Sequence, residues 1–142
     1  MIKPGVLQRR LVGEIITRIE RKGLRIEAMK LIQISRELCE RQYAEHKGKP
    51  FYEGLVEYIS SGPAIAMMAS GEEAIPMMRK LAGATNAADA EPGTIRGDFA
   101  AITQKNLVHA SDSPESAERE LGLFFTHEEI HSWVDGNEDC LV

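Results

Sequence analysis

Of the four histidines in the 142 residues, two settings carry chemistry. His109 ends a short apolar run, Leu107-Val108, that Asn106 opens, and Ala110-Ser111-Asp112-Ser113-Pro114 follows at once. Ser113 suits a helix N-cap and Pro114 the first helical position. The pattern therefore predicts a strand ending in His109 and a helix from Pro114, a junction from which rigid elements can project the imidazole into a cleft. Ser111 and Glu120 are the polar groups able to orient it. An imidazole near pH 7 is mostly unprotonated and so a competent nucleophile. The second setting, His127-Glu128-Glu129-Ile130-His131, fits H-E-x-x-H literally. On a continuous helix His127 and His131 would share a face and hold zinc, with Glu128 as general base for the bound water. Only Asp135, Glu138, Asp139 and Cys140 remain as a third ligand, and a catalytic zinc needs a shaped outer shell. A solvated terminal helix packed through Ile130 and Trp133 is the favoured reading.

These residues need elements to hold them. Leu11, Ile15, Ile16 and Ile19 recur at helical spacing, and Gly23 is a natural stop. The stretch from Leu24 to Ile34 alternates and then runs apolar, as a strand does. Ser35 caps a helix carrying Leu38 and Tyr43, and Pro50 opens another with Leu55, Val56 and Ile59. Ala64-Ile65-Ala66-Met67-Met68, bounded by Gly62-Pro63 and Gly71, reads as a buried strand. A helix is expected from about Glu72 to Leu81, with Pro76 forcing a late start or a bend. Residues 82–98 read as a loop, and a helical turn is expected near His127. Met67, Met68, Met77 and Met78 look like a cofactor stripe but are read as core filler.

The length fits one domain with one core. An apolar fraction of 43% and a charged fraction of 27% are ordinary for a globular chain. No apolar run is long enough to span a bilayer, and Lys3-Pro4-Gly5 interrupts any signal-peptide layout. A cytoplasmic protein is the expectation, with no membrane role. A net charge of −5 argues against wrapping nucleic acid, which needs clustered cations, but leaves room for a few local cations at a nucleotide site. Cys39 and Cys140 are too few for a disulfide framework and are read as reduced thiols.

The run Asn106-Leu107-Val108-His109-Ala110-Ser111-Asp112 resembles the signature N-x-x-H-[GA]-S-D of the nucleoside diphosphate kinase family. Other blocks agree in order: Ile2-Lys3-Pro4, Gly13-Glu14-Ile15-Ile16, Lys22-Gly23, Tyr43-Ala44-Glu45-His46, Pro50-Phe51, Gly54-Leu55-Val56, Ser61-Gly62-Pro63, Gly83-Ala84-Thr85-Asn86 and Pro92-Gly93-Thr94-Ile95-Arg96-Gly97-Asp98-Phe99. The resemblance runs from residue 2 to about residue 125. It implies one domain over 1–142 with a ferredoxin-like α+β fold: a four-stranded antiparallel sheet with helices packed on one face. Relatives carry a full first strand before the lysine loop, whereas only Met1-Ile2 precedes it here. The first strand is therefore expected to be truncated, with backbone groups unpaired and part of the core open.

The resemblance further implies ping-pong transfer of the γ-phosphate of a nucleoside triphosphate, typically ATP, to a nucleoside diphosphate through a phosphohistidine at His109. Ser111 and Glu120 would orient the imidazole. Lys3, Arg79 and Arg96 would contact phosphate, and Thr85 would donate its hydroxyl to one. Tyr43 would point at the transferring group or fix Lys3. Asn106 and Lys3 would hold the sugar. Phe51, with Leu55 beside it, would stack on the base, which tolerates any base and implies broad specificity. Mg²⁺ would arrive on the phosphates, with no dedicated protein metal site. No Walker-type glycine loop is present. The partners implied are nucleoside di- and triphosphates and further copies of the chain, as a tetramer or a hexamer. The alternative on the same fold is a weakened or inactive nucleotide-binding or interaction module. The shortened N-terminus and altered loops motivate it, the loop departures being Gly5 for the usual aspartate, Arg10 for a frequent glycine, Thr103-Gln104-Lys105 before Asn106, and Ala87 for the usual proline.

Overall fold

The computed structural model describes residues 1–136, so Glu138, Asp139 and Cys140 lie outside the described residues. In chain order the elements are α1 (Val12–Arg21), β1 (Arg25–Gln33), α2 (Arg36–Gln42), α3 (Tyr52–Ser60), β2 (Pro63–Ser70), α4 (Ala74–Ala82), α5 (Ile95–Phe99) and α6 (Pro114–Phe124). Short 3₁₀ turns occupy Ala44–His46, Ala87–Asp89, Thr103–Lys105 and His127–Glu129. The sequence signals explain most boundaries. Ser35 Oγ accepts from Leu38 N at 3.1 Å to start α2, and Ser113 Oγ accepts from Ser116 N at 3.1 Å to start α6 behind Pro114. Gly23 ends α1 at φ +85. Helix α4 starts late, at Ala74, so Pro76 falls in its first turn, where an N–H has no helical partner to lose.

Strands β1 and β2 pair antiparallel from Arg25↔Ser70 to Gln33↔Pro63, with a bulge at Glu27 between Ile26 and Ala28. Beside β2 sits the start of the chain. Ile2 bridges Ile65 on one side and Val108 on the other. Ile2 N donates to Ile65 O at 2.8 Å, Lys3 N to Leu107 O at 2.8 Å and His109 N to Met1 O at 2.9 Å. Among the described residues this gives two full strands and two bridge-length segments rather than four full strands. The strand expected to end in His109 does not form because Leu107 takes φ +71, in the left-handed region, which an extended run excludes. Met1-Ile2 adds only a bridge-length segment, and its backbone groups are paired on both sides rather than left unpaired as expected. A cavity of about 130 Å³ opens beside Met1, lined by Met67, Met68, Ala110, Leu121 and Phe124 among others.

Helices cover both faces of the sheet, not one. Alternate residues of a strand point to opposite faces, and on β2 both sets are apolar. Ile65 and Met67 pack with Ile15, Ile19, Met77, Met78 and Ile95 on the α1, α4 and α5 side. Ala64 packs with Tyr43, Tyr52, Val56 and Ile59 of the α2–α3 layer, and Ala66 with Met68, Leu121 and Phe125 at the end of α6. The four methionines thus belong to the core, as expected. Ile2, fully buried in the first of these clusters, anchors the short N-terminal segment that carries Lys3.

Arg10 occupies the left-handed region at φ +57 and is exposed. A side-chain-bearing residue is strained there, whereas glycine is not. Arg10→Gly should therefore raise stability by about 1 kcal/mol, read as an upward shift of the thermal midpoint; an unchanged or lower midpoint would show that the turn stores no such strain.

Candidate functional site

His109 lies where the N-terminal segment, the end of α2 and α6 meet. Its Nε2 is 2.8 Å from Glu120 Oε2, and Ser111 Oγ donates to the same oxygen at 2.6 Å. A carboxylate oxygen only accepts, so the ring carries its proton on Nε2 and keeps a lone pair on Nδ1. Tyr43 meets the ring edge-on, with centroids 5.7 Å apart. Burial pushes the His109 pKa down, the Glu120 contact pulls it back in part, and the net result lies below the ordinary histidine value. The imidazole is therefore neutral at pH 7. Burial also pushes the Glu120 carboxyl up, but the hydrogen bonds from His109, Ser111 and Gln42 and the His109 charge outweigh it and hold the group low, at about 2. Glu120 is thus a firm anion on α6, the helix whose serine cap and proline start at Ser113-Pro114 fix its position relative to the histidine.

The cations expected by sequence gather on the other side of the 106–109 segment. Lys3 is buried and its Nζ donates to Asn106 Oδ1 at 2.7 Å, while Asn106 Nδ2 donates to the carbonyl of Thr85 at 3.0 Å. These three residues therefore meet, with Thr85 engaged through its backbone. Burial and the nearby Arg96 charge lower the Lys3 pKa to about 8. Arg96 is buried and gives its guanidinium to three backbone carbonyls: Nε to Asn106 at 3.2 Å, Nη1 to Gly83 at 2.6 Å and Nη2 to Val108 at 2.8 Å. Five N–H donors less these three leave two for a ligand. Arg96 is thus a staple between α5, the turn after α4 and the histidine segment as well as a local cation. The staple needs Gly97, because a Cβ there would collide with the Glu91 carbonyl. Arg79, on α4, leans toward Ala110 O at a weak 3.4 Å and stays largely free.

Phe51 is half exposed just before α3, with Leu55 partly buried a turn later. His46 packs edge-on against Phe51 at 5.5 Å and lies 6.1 Å from Tyr43. The aromatic row Phe51–His46–Tyr43–His109 thereby links the exposed ring to the buried imidazole. Tyr43 Oη is buried without a hydrogen-bond partner among the described residues, so it is not tied to Lys3.

The H-E-x-x-H reading fails on backbone geometry. The helical turn stops at Glu129, and His131 N donates to Glu27 O at 2.9 Å, drawing the chain along β1. His127 and His131 thus do not share a helix face, and Glu128 stands exposed beside them. Trp133 is half exposed but does anchor the segment, donating from Nε1 to Ile26 O at 3.0 Å. Sequence reasoning missed Gln42, which is 2% exposed and reaches both His109 and Glu120. Its one signal was position: a polar residue beside Tyr43 at the end of an amphipathic helix.

A buried, neutral, oriented imidazole with cations behind it is equipment for handling an anion, and the comparisons agree. A family model described as nucleoside diphosphate kinase matches residues 1–130. A nucleoside diphosphate kinase of Archaeoglobus fulgidus is 58% identical over 141 residues, covering 99% of this chain and 93% of the relative. One of Ignicoccus hospitalis is 54% identical over 140 residues, with coverages of 99% and 93%. Among solved structures, a halophilic nucleoside diphosphate kinase from Halobacterium salinarum in complex with CDP matches with a TM-score of 0.96 at 44% identity, over 99% of this chain and 94% of that one. With the histidine signature intact and both sequence and fold matched over nearly the whole length, the chain belongs to the nucleoside diphosphate kinase family of phosphotransferases.

Proposed function

We propose that this chain, acting as one domain over 1–142, moves the γ-phosphoryl group of a nucleoside triphosphate, typically ATP, to a nucleoside diphosphate by way of His109. The observation that carries the reading is the 2.8 Å contact between His109 Nε2 and Glu120, which leaves Nδ1 as the free nucleophile. The Nδ1 lone pair attacks the γ-phosphorus, and the bond to the β,γ-bridging oxygen breaks with its electrons leaving on the diphosphate. A terminal phosphate oxygen of the acceptor then attacks the same phosphorus, and the N–P bond breaks back to Nδ1. Throughout, Nε2 keeps its proton and donates it in a hydrogen bond to Glu120, whose negative charge balances the positive charge that develops on the ring. Splitting one transfer into two in-line displacements lets a single site serve donor and acceptor in turn.

Lys3, Arg79 and the two spare N–H groups of Arg96 would neutralise and orient the phosphates, with the Thr85 hydroxyl as a further donor and Tyr43 Oη aimed at the transferring group. Lys3 and Asn106 would hold the sugar. Phe51 and Leu55 would take the base on an exposed ring face that reads no base edge, giving broad specificity. Binding of CDP by the Halobacterium relative supports a diphosphate as the acceptor. The donor set around His109 consists of cations and one carboxylate already engaged by His109, Ser111 and Gln42, a set made for phosphate. Mg²⁺ therefore belongs to the substrate, arriving on the nucleotide phosphates and offsetting their charge. The exposed apolar side chains of Met29, Leu31 and Ile102 support assembly of copies into a tetramer or hexamer. No described helix is long and apolar enough to cross a membrane; a cytoplasmic location is part of the proposal, and nothing in the mechanism requires nucleic acid.

Three outcomes follow. Incubation with ATP and Mg²⁺ should add one acid-labile phosphoryl group, seen by intact mass, that a different nucleoside diphosphate removes; His109→Ala should gain none while still binding nucleotide. Labelling of His109→Ala would overturn the assignment, and no labelling of the folded parent would favour the inactive module. The pH profile of kcat/KM should be a bell. His109, its pKa depressed, stays neutral and nucleophilic to below the ordinary 6.5, so the acid limb lies below that value. Lys3 loses its charge as pH rises through about 8, setting the basic limb; an acid limb above 6.5 would contradict the buried, neutral imidazole. Phe51→Ala should weaken purine and pyrimidine nucleotides alike by about 1–3 kcal/mol in titrations, whereas a loss confined to one base would mean that the base edge is read.

A further inference from the structure

Gln42 is the last residue of α2 and is 2% exposed. An amide buried so deeply is costly unless it is used. What it meets is the catalytic pair. Its Nε2 lies 3.3 Å from His109 Nε2, itself 2.8 Å from Glu120 Oε2, which sets the amide beside the carboxylate whose pKa it helps to lower. Two N–H groups do not bond to each other, so the close approach of the two nitrogens makes sense only because both converge on Glu120. The amide oxygen Oε1 has no partner among the described residues. A side chain kept only to fill space would be apolar and leave no carbonyl stranded; here the donor end is used and the acceptor end is sacrificed. A neutral donor also has a consequence that an arginine or lysine would not. It holds the carboxylate in place without cancelling the charge that balances the imidazole.

We propose that Gln42 is a positioning residue for phosphotransfer, its amide clamping Glu120 against His109 Nε2 and so keeping Nδ1 presented to the nucleotide. The proposal rests on the reading of His109 as the phosphoryl acceptor. It makes α2 part of the reacting geometry: the same helix end sets Tyr43 against the imidazole and Gln42 against its carboxylate. With the clamp gone, Glu120 keeps only Ser111 and a partly exposed ion pair with Arg119 at 3.5 Å besides the histidine, and the ring can turn or change tautomer.

The test compares the full chain with Gln42→Met, which keeps the volume and removes the donor, and Gln42→Glu, which keeps the shape and adds an acid. In Gln42→Met the single-turnover rate of His109 phosphorylation should fall roughly ten- to a hundredfold, the cost of a misplaced reacting group, with the KM for nucleotide unchanged. ¹⁵N spectra of the resting enzyme should show His109 as one Nε2–H tautomer in the parent and as a mixture in the variant. In Gln42→Glu the new carboxyl joins Glu120 on α6, Tyr43 at the end of α2, Lys3 and the Met1 amino group in the N-terminal segment, Arg79 on α4 and Arg96 on α5 around the imidazole. An added negative charge eases its protonation, so the acid limb of the pH profile should move to higher pH. A folded Gln42→Met with the parental rate and a single tautomer would overturn the proposal, as would an acid limb unmoved in Gln42→Glu. If Gln42→Met does not fold, the isosteric Gln42→Glu decides by its acid limb and its ¹⁵N spectrum. Absence of any label on His109 in the parent would instead sink the underlying reading, and the tautomer spectra would still decide the clamp.

Discussion

The hydrogen bond between Glu120 and His109 is the constraint around which the site is arranged. It decides which imidazole nitrogen carries the proton, and hence which one is a nucleophile. It also reconciles two opposed demands. Burial keeps the ring neutral at working pH, yet attack on phosphorus makes the ring cationic. In the proposed reaction a fixed carboxylate at 2.8 Å would supply the balancing charge at that moment without reorganisation. Hydrogen bonds from His109, Ser111 and Gln42 hold Glu120 as an anion against the cost of burying it.

The rest of the fold keeps the two residues in register. Glu120 rides on α6, and His109 on an irregular segment that makes no full strand. The segment is nevertheless held from both sides. Met1 to Lys3 pair with 107–109 on one side, and Arg96 grips the carbonyls of Asn106 and Val108 on the other. The strained φ of Leu107 persists because these bonds over-determine it, a common state of backbone at reacting sites. Arg96 therefore has two duties. Its charge would serve the phosphates in the proposed reaction, and three of its N–H groups act as mortar. Lysine could meet the first duty and not the second. Layers on both faces of the sheet bury Ile2 and Ile65, so the short N-terminal segment that delivers Lys3 has a solid floor.

Much of this was legible in the sequence because the signals are local. Ser35, Ser113-Pro114 and Gly23 mark helix ends by capping chemistry, and each does so in the structure. The compact apolar run of β2 announced a buried strand, and its apolar residues on both faces match the layers that cover both sides of the sheet, where the resemblance implied helices on one face. Lys3, Asn106, Arg96 and Glu120 were named from their place in a signature, and the fold brings Lys3 to Asn106 and Glu120 to His109. What stayed hidden depends on long-range geometry. No local pattern tells that Leu107 breaks a strand, that Arg96 spends its donors on backbone, or that His131 pairs with β1 rather than extending a helix. Gln42 escaped for the same reason, since its importance lies in what α6 places opposite it.

The central claim is that Glu120 commits the Nε2 proton and leaves Nδ1 to attack. The most direct measurement is ³¹P–¹⁵N coupling in protein labelled at the imidazole nitrogens and phosphorylated with ATP and Mg²⁺. The account predicts one phosphoryl group, bonded to His109 Nδ1, with Nε2 still protonated. A phosphoryl group on Nε2 would require the Glu120 contact to break before reaction and would contradict it.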